Sequence, residues 1–122
     1  MKRTAFILKS LGITLNSCDI SPGAKIGKDI YFCHTVGIVI GSNVVIGDNV
    51  TIYQNVTLGT KDGISLDYPI IENNVMLFAG CVIAGSVRIG ENSIVGANSV
   101  VLKDIPPDSI AVGIPAFSKS IK

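Results

Sequence analysis

Residues 40–57 read Ile40-Gly-Ser-Asn-Val-Val, Ile46-Gly-Asp-Asn-Val-Thr and Ile52-Tyr-Gln-Asn-Val-Thr, three six-residue units in one register. Each unit begins with isoleucine and has valine in fifth place. On an α-helix, residues six apart point about 240° apart, so these isoleucines would not share a face. A continuous strand would turn the third residue inward with the first and fifth, yet that residue is polar in all three units. The pattern therefore predicts short strands separated by corners, stacked as coils around an aliphatic column.

The same period extends on both sides of this stretch. Earlier units begin at Ile20, Ile26 and Phe32. Two extra residues, Ile38 and Val39, follow the third of these units, and such irregularities often accompany functional sites. Residues 59–70 lack the period and are predicted to form a projecting loop. Later units begin at Ile71, Leu77, Ile83, Ile89, Val95 and Val101. The adjacent Pro106 and Pro107 are predicted to end the repeat, because neither can donate a hydrogen bond to a sheet.

Length and composition indicate one all-β domain with short terminal segments. The chain has 122 residues, no tryptophan and thirteen glycines, which suits a narrow prism filled by Ile, Val and Ala. We predict an N-terminal capping segment at 1–17, a β-helix at 18–112 and a tail at 113–122. The basic residues Lys2 and Arg3 precede a short apolar run, but we favour a cap over an export signal. A net charge of +1 gives no electrostatic basis for nucleic-acid binding, and no apolar run is long enough to span a membrane.

Two longer stretches are more specific than the hexad. One runs from Cys18-Asp-Ile-Ser-Pro-Gly-Ala-Lys-Ile-Gly through Ile52-Tyr-Gln-Asn-Val-Thr-Leu-Gly, and the other is Gly96-Ala-Asn-Ser-Val-Val-Leu-Lys-Asp-Ile-Pro-Pro, followed by Gly113-Ile-Pro-Ala. On these residues the chain resembles the hexapeptide-repeat acyltransferases and, over residues 18–117, the serine O-acetyltransferases among them. The resemblance implies a left-handed parallel β-helix with three hexads per coil. It also implies acetyl-CoA as the acyl donor and a homotrimer with active sites between subunits.

His34 is the only histidine of the chain. A neutral imidazole is the usual general base near pH 7 and can take the proton of a hydroxyl that attacks a thioester. The resemblance implies that His34 is the catalytic base and that Asp19 is the carboxylate that orients it. Fifteen residues separate the two, against eighteen for a coil of three hexads, so the spacing allows a contact without requiring one. The alternative is that His34 is a polar residue of a turn.

The resemblance further implies a groove in which acetyl-CoA binds. Small residues along such a groove let the pantetheine arm lie against the backbone. The matching positions in this chain are Gly59, Thr60, Ala79, Gly80 and Ala97. Lys103, with Ala116 and Lys119 of the tail, is expected to face the nucleotide phosphates. Each glycine or alanine could equally serve a turn of the hexad, and the lysines could be ordinary solvated charges.

The acceptor site departs from the pattern of the serine acetyltransferases. In that family an Asp precedes the catalytic histidine, where this chain has Cys33, and Arg-His-Pro follows the loop, where this chain has Asp67-Tyr68-Pro69. The groups expected to grip an amino acid are therefore missing. We predict that Cys33, Asp67 and Tyr68 face an uncharged acceptor, a sugar hydroxyl of a surface-polysaccharide precursor. The alternatives are a serine O-acetyltransferase proper and a non-catalytic β-helix scaffold.

The three cysteines do not follow a recognised disulfide or metal-binding pattern. Cys33 could be a thiol nucleophile beside His34, or a zinc ligand together with Cys18 and Asp19. We favour inert thiols, with Cys81 in the core. One histidine per chain also cannot supply the three-histidine zinc site, shared by two chains, of the carbonic anhydrases that resemble this fold. We therefore expect an enzyme without a metal. We also expect it to be located in the cytoplasm.

Overall fold

The computed structural model describes residues 2–122, apart from the side chains of Lys2 and of residues 12–16; Met1 of the predicted cap lies outside the described residues. Within this part of the chain, one helix, α1 (Lys2–Asn16), precedes fifteen short strands in three sheets. Face A contains β1 (Asp19–Ile20), β4 (Val39–Ile40), β7 (Thr57–Gly59), β10 (Val82–Ala84) and β13 (Val100–Val101). Face B contains β2 (Lys25–Ile26), β5 (Val45–Ile46), β8 (Ile70–Ile71) and β11 (Arg88–Ile89). Face C contains β3 (Tyr31–Phe32), β6 (Thr51–Ile52), β9 (Met76–Leu77), β12 (Ile94–Val95), β14 (Ser109–Gly113) and β15 (Ala116–Ser120).

The chain runs through the three faces in turn, so it winds as a triangular prism of stacked coils. Val45 of β5 pairs in parallel with Lys25 of β2 and with Ile70 of β8. Parallel neighbours of this kind lie about 4.8 Å apart. The projecting loop leaves the corner between faces A and B at residues 60–69. Its predicted end residues, Gly59 and Ile70, belong to strands β7 and β8.

The interior of the prism is the aliphatic column that the hexads predict. First-place Ile52 and Leu77 and fifth-place Val75 are fully buried. Serine takes the fifth place in two later units, and both hydroxyls are hydrogen-bonded there. Ser93 Oγ donates to the Pro106 carbonyl at 2.9 Å, and Ser99 Oγ accepts from the Gly113 N–H at 3.1 Å. The column therefore admits small polar residues only where the chain supplies their partners.

The register shift after the unit at Phe32 widens one corner of the prism. Val36, which the hexad places inward, is 59% exposed, and Ile38 takes the inward position with 0% exposed. Gly37 turns the chain with a positive φ of 72°, and its N–H donates to the Ser17 carbonyl at 2.8 Å. The Cys33 N–H still donates to the Ile52 carbonyl, and the Asn55 N–H donates to the Val36 carbonyl. The two additional residues of this coil are therefore His34 and Thr35, in an outward bulge, and not Ile38 and Val39 as the hexad predicts; the column beneath is not interrupted.

Asparagine turns several other corners in the left-handed backbone conformation. The φ angle lies between 57° and 61° at Asn49, Asn55, Asn74, Asn92 and Asn98. A short polar side chain tolerates this region better than most side chains. Asn49 and Asn74 also stack in adjacent coils, where Asn49 Nδ2 donates to Asn74 Oδ1 at 2.7 Å.

We expect Asn74→Ala to lower the free energy of unfolding by about 1–2 kcal/mol, the usual cost of a left-handed conformation at a residue with a Cβ. Asn74→Gly should lose less, because glycine adopts positive φ freely. Urea unfolding measures both changes, and Asn43→Ala is the matched control because Asn43 is exposed and is not among the residues with positive φ. A glycine variant less stable than the alanine variant would contradict this explanation.

The N-terminal end of the prism is incompletely covered. Ile26 is the first residue of its unit, yet it is 39% exposed, because β2 is the end strand of face B among the described residues. The helix α1 packs beside β1 at this end. Within the described residues, this helix lacks the length and apolar character that a membrane crossing needs.

The repeat continues beyond Pro106 and Pro107, and the prediction that they end it is wrong. Ile94 of β12 pairs in parallel with Ile110 of β14, which adds one more strand to face C. Both prolines lie in the corner before this strand, where the backbone need not donate to a ladder. The tail then folds back as β15, antiparallel to β14, with Val112 opposite Phe117.

Candidate active site

His34 lies in the widened corner between β3 and β4, where faces C and A meet. Its side chain is exposed, and no hydrogen bond or ion pair joins it to another of the described residues. The imidazole is therefore available to a partner from outside this chain.

Three of the residues predicted to bind acetyl-CoA share this corner with His34. Phe32, Ile52, Leu77 and Val95 are in register on face C. In the corner that follows, the N–H groups of Asn55, Gly80 and Asn98 donate to the carbonyls of Val36, Gln54 and Ala79, so that Val36, Gln54, Ala79 and Ala97 stack in one row. His34 lies in the bulge that precedes Val36, and we call the four stacked residues together with His34 the His34 row. At about 4.8 Å per coil, the row is about 14 Å long. Gly80 adjoins Ala79, so the predicted base and three predicted cofactor residues do lie along one edge.

The two predicted glycines have different explanations. Gly80 has a φ of 73°, and a Cβ there would collide with the side chain of Asn98, so the turn itself requires glycine. At Gly59, no atom lies within 4 Å of the position that a Cβ would occupy. Packing within the chain does not explain Gly59, and the space above it is open to a ligand.

Asp19 contacts a lysine of the N-terminal helix. It lies in the coil next to that of His34, where it pairs with Val39 at the start of face A. Its Oδ1 is 3.0 Å from Lys9 Nζ, and this oxygen is buried without a well-oriented hydrogen bond. The contact is therefore an ion pair without hydrogen-bond geometry. No hydrogen bond links Asp19 to His34 among the described residues, and the orienting role of Asp19 stays a prediction.

The remaining predicted site residues lie at a different corner. Gly59, Thr60, Asp67, Tyr68 and Lys103 are at the corner between faces A and B or in the loop that leaves it. The whole width of face A separates them from the His34 row. A single chain does not bring these two groups together.

Hydrogen bonds within the loop and packing on the prism hold this second corner. Thr60 Oγ1 accepts from the Gly63 N–H at 2.7 Å. The Asp62 carboxylate accepts from the N–H groups of Ser65 and Ile64, which lowers the pKa of Asp62. Tyr68, expected to face the acceptor, is half-buried. Its ring lies where a Cβ on Gly41 would be. The Tyr68 hydroxyl accepts from Ser42 Oγ at 3.3 Å, so this residue anchors the loop to the prism.

The tail brings one more predicted pair together. Lys103 and Ala116 line one cleft of about 400 Å³, together with Phe117. Lys119 lies further along β15 and lines a different cleft with Ile121. Of the three residues expected to face phosphates, two therefore share a surface.

Two aromatic residues beside His34 escape the sequence analysis. Tyr53 and Phe78 are half-buried, and their rings stack with centroids 4.8 Å apart and an interplanar angle of 18°. They directly follow the paired residues Ile52 and Leu77, so they occupy the second place of units in adjacent coils. The fold is predicted from the inward-facing places of the hexad, and the second place is not one of them. Two aromatic residues at this place, which Cys33 holds in an earlier unit, are the signal that could have identified the pair.

The cysteines are not clustered for metal binding. Among the side chains that the structure describes, no group of three His, Cys, Asp or Glu could hold a metal ion. Cys81 is fully buried, as predicted, and burial raises its pKa to about 12. Cys18 and Cys33 are half-buried thiols at the surface.

We expect Cys81 to resist iodoacetamide at pH 8 in the folded protein and to react after urea unfolding, because the thiolate is the reactive form. Mass spectrometry of the labelled peptide measures this directly. Cys81→Ala should leave labelling of the folded protein unchanged and remove one reactive thiol from the unfolded protein. Modification of Cys81 without unfolding would contradict the prediction.

Comparison with known proteins supports both the repeat and the fold. Residues 68–103 match the family described as Bacterial transferase hexapeptide (six repeats). The chain is 44% identical over 110 residues to the serine acetyltransferase of Synechococcus elongatus, covering 89% of this chain and 45% of that protein. Soybean serine acetyltransferase complexed with serine superimposes with a TM-score of 0.93 and 43% identity, over 96% of this chain and 49% of that one. A serine acetyltransferase in complex with CoA superimposes with a TM-score of 0.91 and 40% identity, over 97% of this chain and 48% of that one.

The predicted left-handed parallel β-helix is confirmed by these structures. So is the predicted likeness to hexapeptide-repeat transferases and serine acetyltransferases. The chain spans about half the length of the curated relatives that it matches.

Proposed function

Since the chain carries the hexapeptide repeat of bacterial transferases and its relatives are serine acetyltransferases, we propose that it transfers an acetyl group from acetyl-CoA to a hydroxyl. The observation that carries the proposal is the His34 row. An exposed imidazole stands at one end of a path about 14 Å long, and the far part of the path is lined by Ala79 and Ala97. A thin pantetheine arm fits a path of small side chains, and a relative of known structure binds CoA.

His34 acts as the general base of this reaction. The neutral imidazole takes the proton of the acceptor hydroxyl while the oxygen attacks the thioester carbonyl. A C–O bond forms, the tetrahedral intermediate then breaks its C–S bond, and the imidazolium returns the proton to the departing thiolate of CoA. Asp19, one coil away, orients the imidazole, and its ion pair with Lys9 restrains the carboxylate. The reaction takes place in the cytoplasm, where acetyl-CoA is the donor.

A homotrimer completes the site. Within one chain, face A keeps Gly59, Thr60 and Lys103 away from the His34 row, so these residues meet the row of a neighbouring subunit. This arrangement requires the trimer for activity. Sedimentation equilibrium should give three chains per particle, and acetyl transfer should be lost on dilution to the monomer. A fully active monomer would contradict the arrangement.

Two acceptors are supported by different observations. Serine is the acceptor for which the relatives are named, and it is the first to test. A sugar hydroxyl, as on a surface-polysaccharide precursor, is the second candidate. It is favoured by Cys33, Asp67 and Tyr68, which stand where the resemblance places an Asp, an Arg and a His. The comparisons favour serine over the sugar, because the relatives are serine acetyltransferases.

The test is isothermal titration with CoA, followed by thiol release from acetyl-CoA in the presence of serine and of a panel of hexopyranosides. Binding of CoA with acceptor-dependent thiol release supports the proposal, and the compound that gives the higher kcat/KM is the preferred acceptor. Absence of both CoA binding and thiol release would refute the proposal and leave a non-catalytic scaffold.

A further inference from the structure

The stacked rings of Tyr53 and Phe78 precede Gln54 and Ala79 of the His34 row by one residue, in the two coils that follow the one carrying His34. Cys33, Tyr53 and Phe78 directly follow the registered residues of face C, and members of the His34 row are the next residues along the chain. The three side chains therefore form a second row, parallel to the His34 row and on its face C side. A group held against these rings therefore lies beside the path proposed for pantetheine, which begins at the corner that carries His34.

The hydrophobic column does not account for this pair. Ile52 and Leu77, which precede the two rings, supply the buried contacts of the coil, and both rings are only half-buried. A hydrogen bond with Cys33 raises the pKa of Tyr53, so the phenol keeps its proton near neutral pH. The two rings cover each other on one side, so each leaves only its outer face and its edge to another group, with the Tyr53 hydroxyl next to the Cys33 thiol.

The segments of the chain that form both rows contain no charged side chain apart from any proton on His34; the nearest charges of the same chain that the proposed mechanism uses are those of the Asp19–Lys9 ion pair. Residues 33–37, 53–55, 78–80 and 96–98 contain neither acidic nor basic side chains other than this histidine. An amino-acid acceptor brings an ammonium and a carboxylate, and a charge that leaves water without a partner is costly. The polar groups that the corner does offer are uncharged. One is Gln54, whose Oε1 is buried without a hydrogen-bond partner among the described residues.

We infer that the Tyr53–Phe78 pair is the floor of the acceptor site and stacks against the apolar face of an uncharged, polyhydroxylated ring, a hexopyranose. Aromatic rings bind flat ligands by face contact, and a hydroxyl at the ring edge then lies beside His34. The amide of Gln54 and the phenol of Tyr53 match hydroxyl groups, which both donate and accept hydrogen bonds. This inference rests on the proposed acetyl transfer and selects the sugar among its two acceptors.

The test compares Tyr53→Ala and Phe78→Ala with wild-type protein in three measurements: kcat and KM for methyl hexopyranosides by CoA release, CoA affinity by titration, and oligomeric state by sedimentation. Each variant should raise the KM for the sugar about tenfold or more, since stacking on one aromatic ring contributes on that scale. CoA affinity and oligomeric state should not change. Tyr53→Phe and Phe78→Tyr should each raise the KM for the sugar less than the corresponding alanine variant, because they keep the stacked ring. Phe6→Ala is the matched control, because Phe6 is an exposed aromatic residue on α1 and not on face C.

Several outcomes would overturn the inference while leaving acetyl transfer intact. One is turnover of serine without turnover of any hexopyranoside. Another is loss of the trimer or of CoA affinity in the alanine variants with an unchanged KM for the sugar, which would make the rings part of a subunit interface or of the cofactor site. CoA binding without turnover of any ring acceptor also counts against it. Failure of CoA binding itself would instead refute the proposed function.

Discussion

Replacing His34 with alanine should lower kcat for acetyl transfer about 10²–10⁴-fold, the usual contribution of a positioned general base. The residue stands at the end of the row proposed to hold pantetheine, so the substitution removes the proton acceptor and leaves the path itself in place. Stopped or continuous assays of CoA thiol release measure the rate. The imidazole is exposed and lacks a partner among the described residues, so the variant should fold like the wild type.

The controls separate a chemical role from a structural one. CoA affinity and the unfolding midpoint of His34→Ala should match those of the wild-type protein, whereas kcat should not. Thr35→Ala, a change at the next exposed residue of the same corner, should keep most of the activity. A His34→Ala variant with wild-type kcat would remove the base from the mechanism and would return His34 to the role of a polar turn residue.

Ile52→Ala should lower the free energy of unfolding by about 2–5 kcal/mol, the range for truncating a large aliphatic residue in a packed core. Ile52 is 0% exposed and lies between β3 and β9 on face C. Coils above and below therefore hold the cavity open and limit its collapse. Urea unfolding of the purified protein measures the loss.

The same substitution at the end of the prism is the matched control. Ile26 is also the first residue of a hexad, but it is 39% exposed, so Ile26→Ala should cost less than half as much as Ile52→Ala. Similar losses at both positions would mean that burial in the column does not determine the stability of each unit. The hexad would then describe the backbone path without describing its energetics.

The column was predictable because one physical rule governs it. A residue that repeats every six positions and points inward must be aliphatic, as Ile52 and Val75 are, or must have a hydrogen-bond partner for its polar group, as Ser93 has. The rule fails where a coil contains additional residues and near the end of the repeat. Val36 is exposed because two extra residues widen its corner, and Pro106 does not stop the coil because a corner needs no ladder donor.

The candidate site was less predictable, because its residues do not follow the period. His34, Ala79 and Ala97 could be assigned only through a family resemblance, and the structure adds that they share one row. The ion pair between Lys9 and Asp19 joins a helix to a strand ten residues later, a contact that the period does not encode. The stack of Tyr53 on Phe78 joins adjacent coils, and its geometry depends on rotamers that a sequence pattern does not specify.

Inward and outward residues alternate on each strand, and the two sets have different roles. Side chains that determine whether the coils hold together point to the axis, and side chains that meet a substrate occupy the neighbouring outward places. In the acceptor site that we propose, an exchange of Cys33, Tyr53 or Phe78 should therefore alter the preferred alcohol while the column keeps its packing.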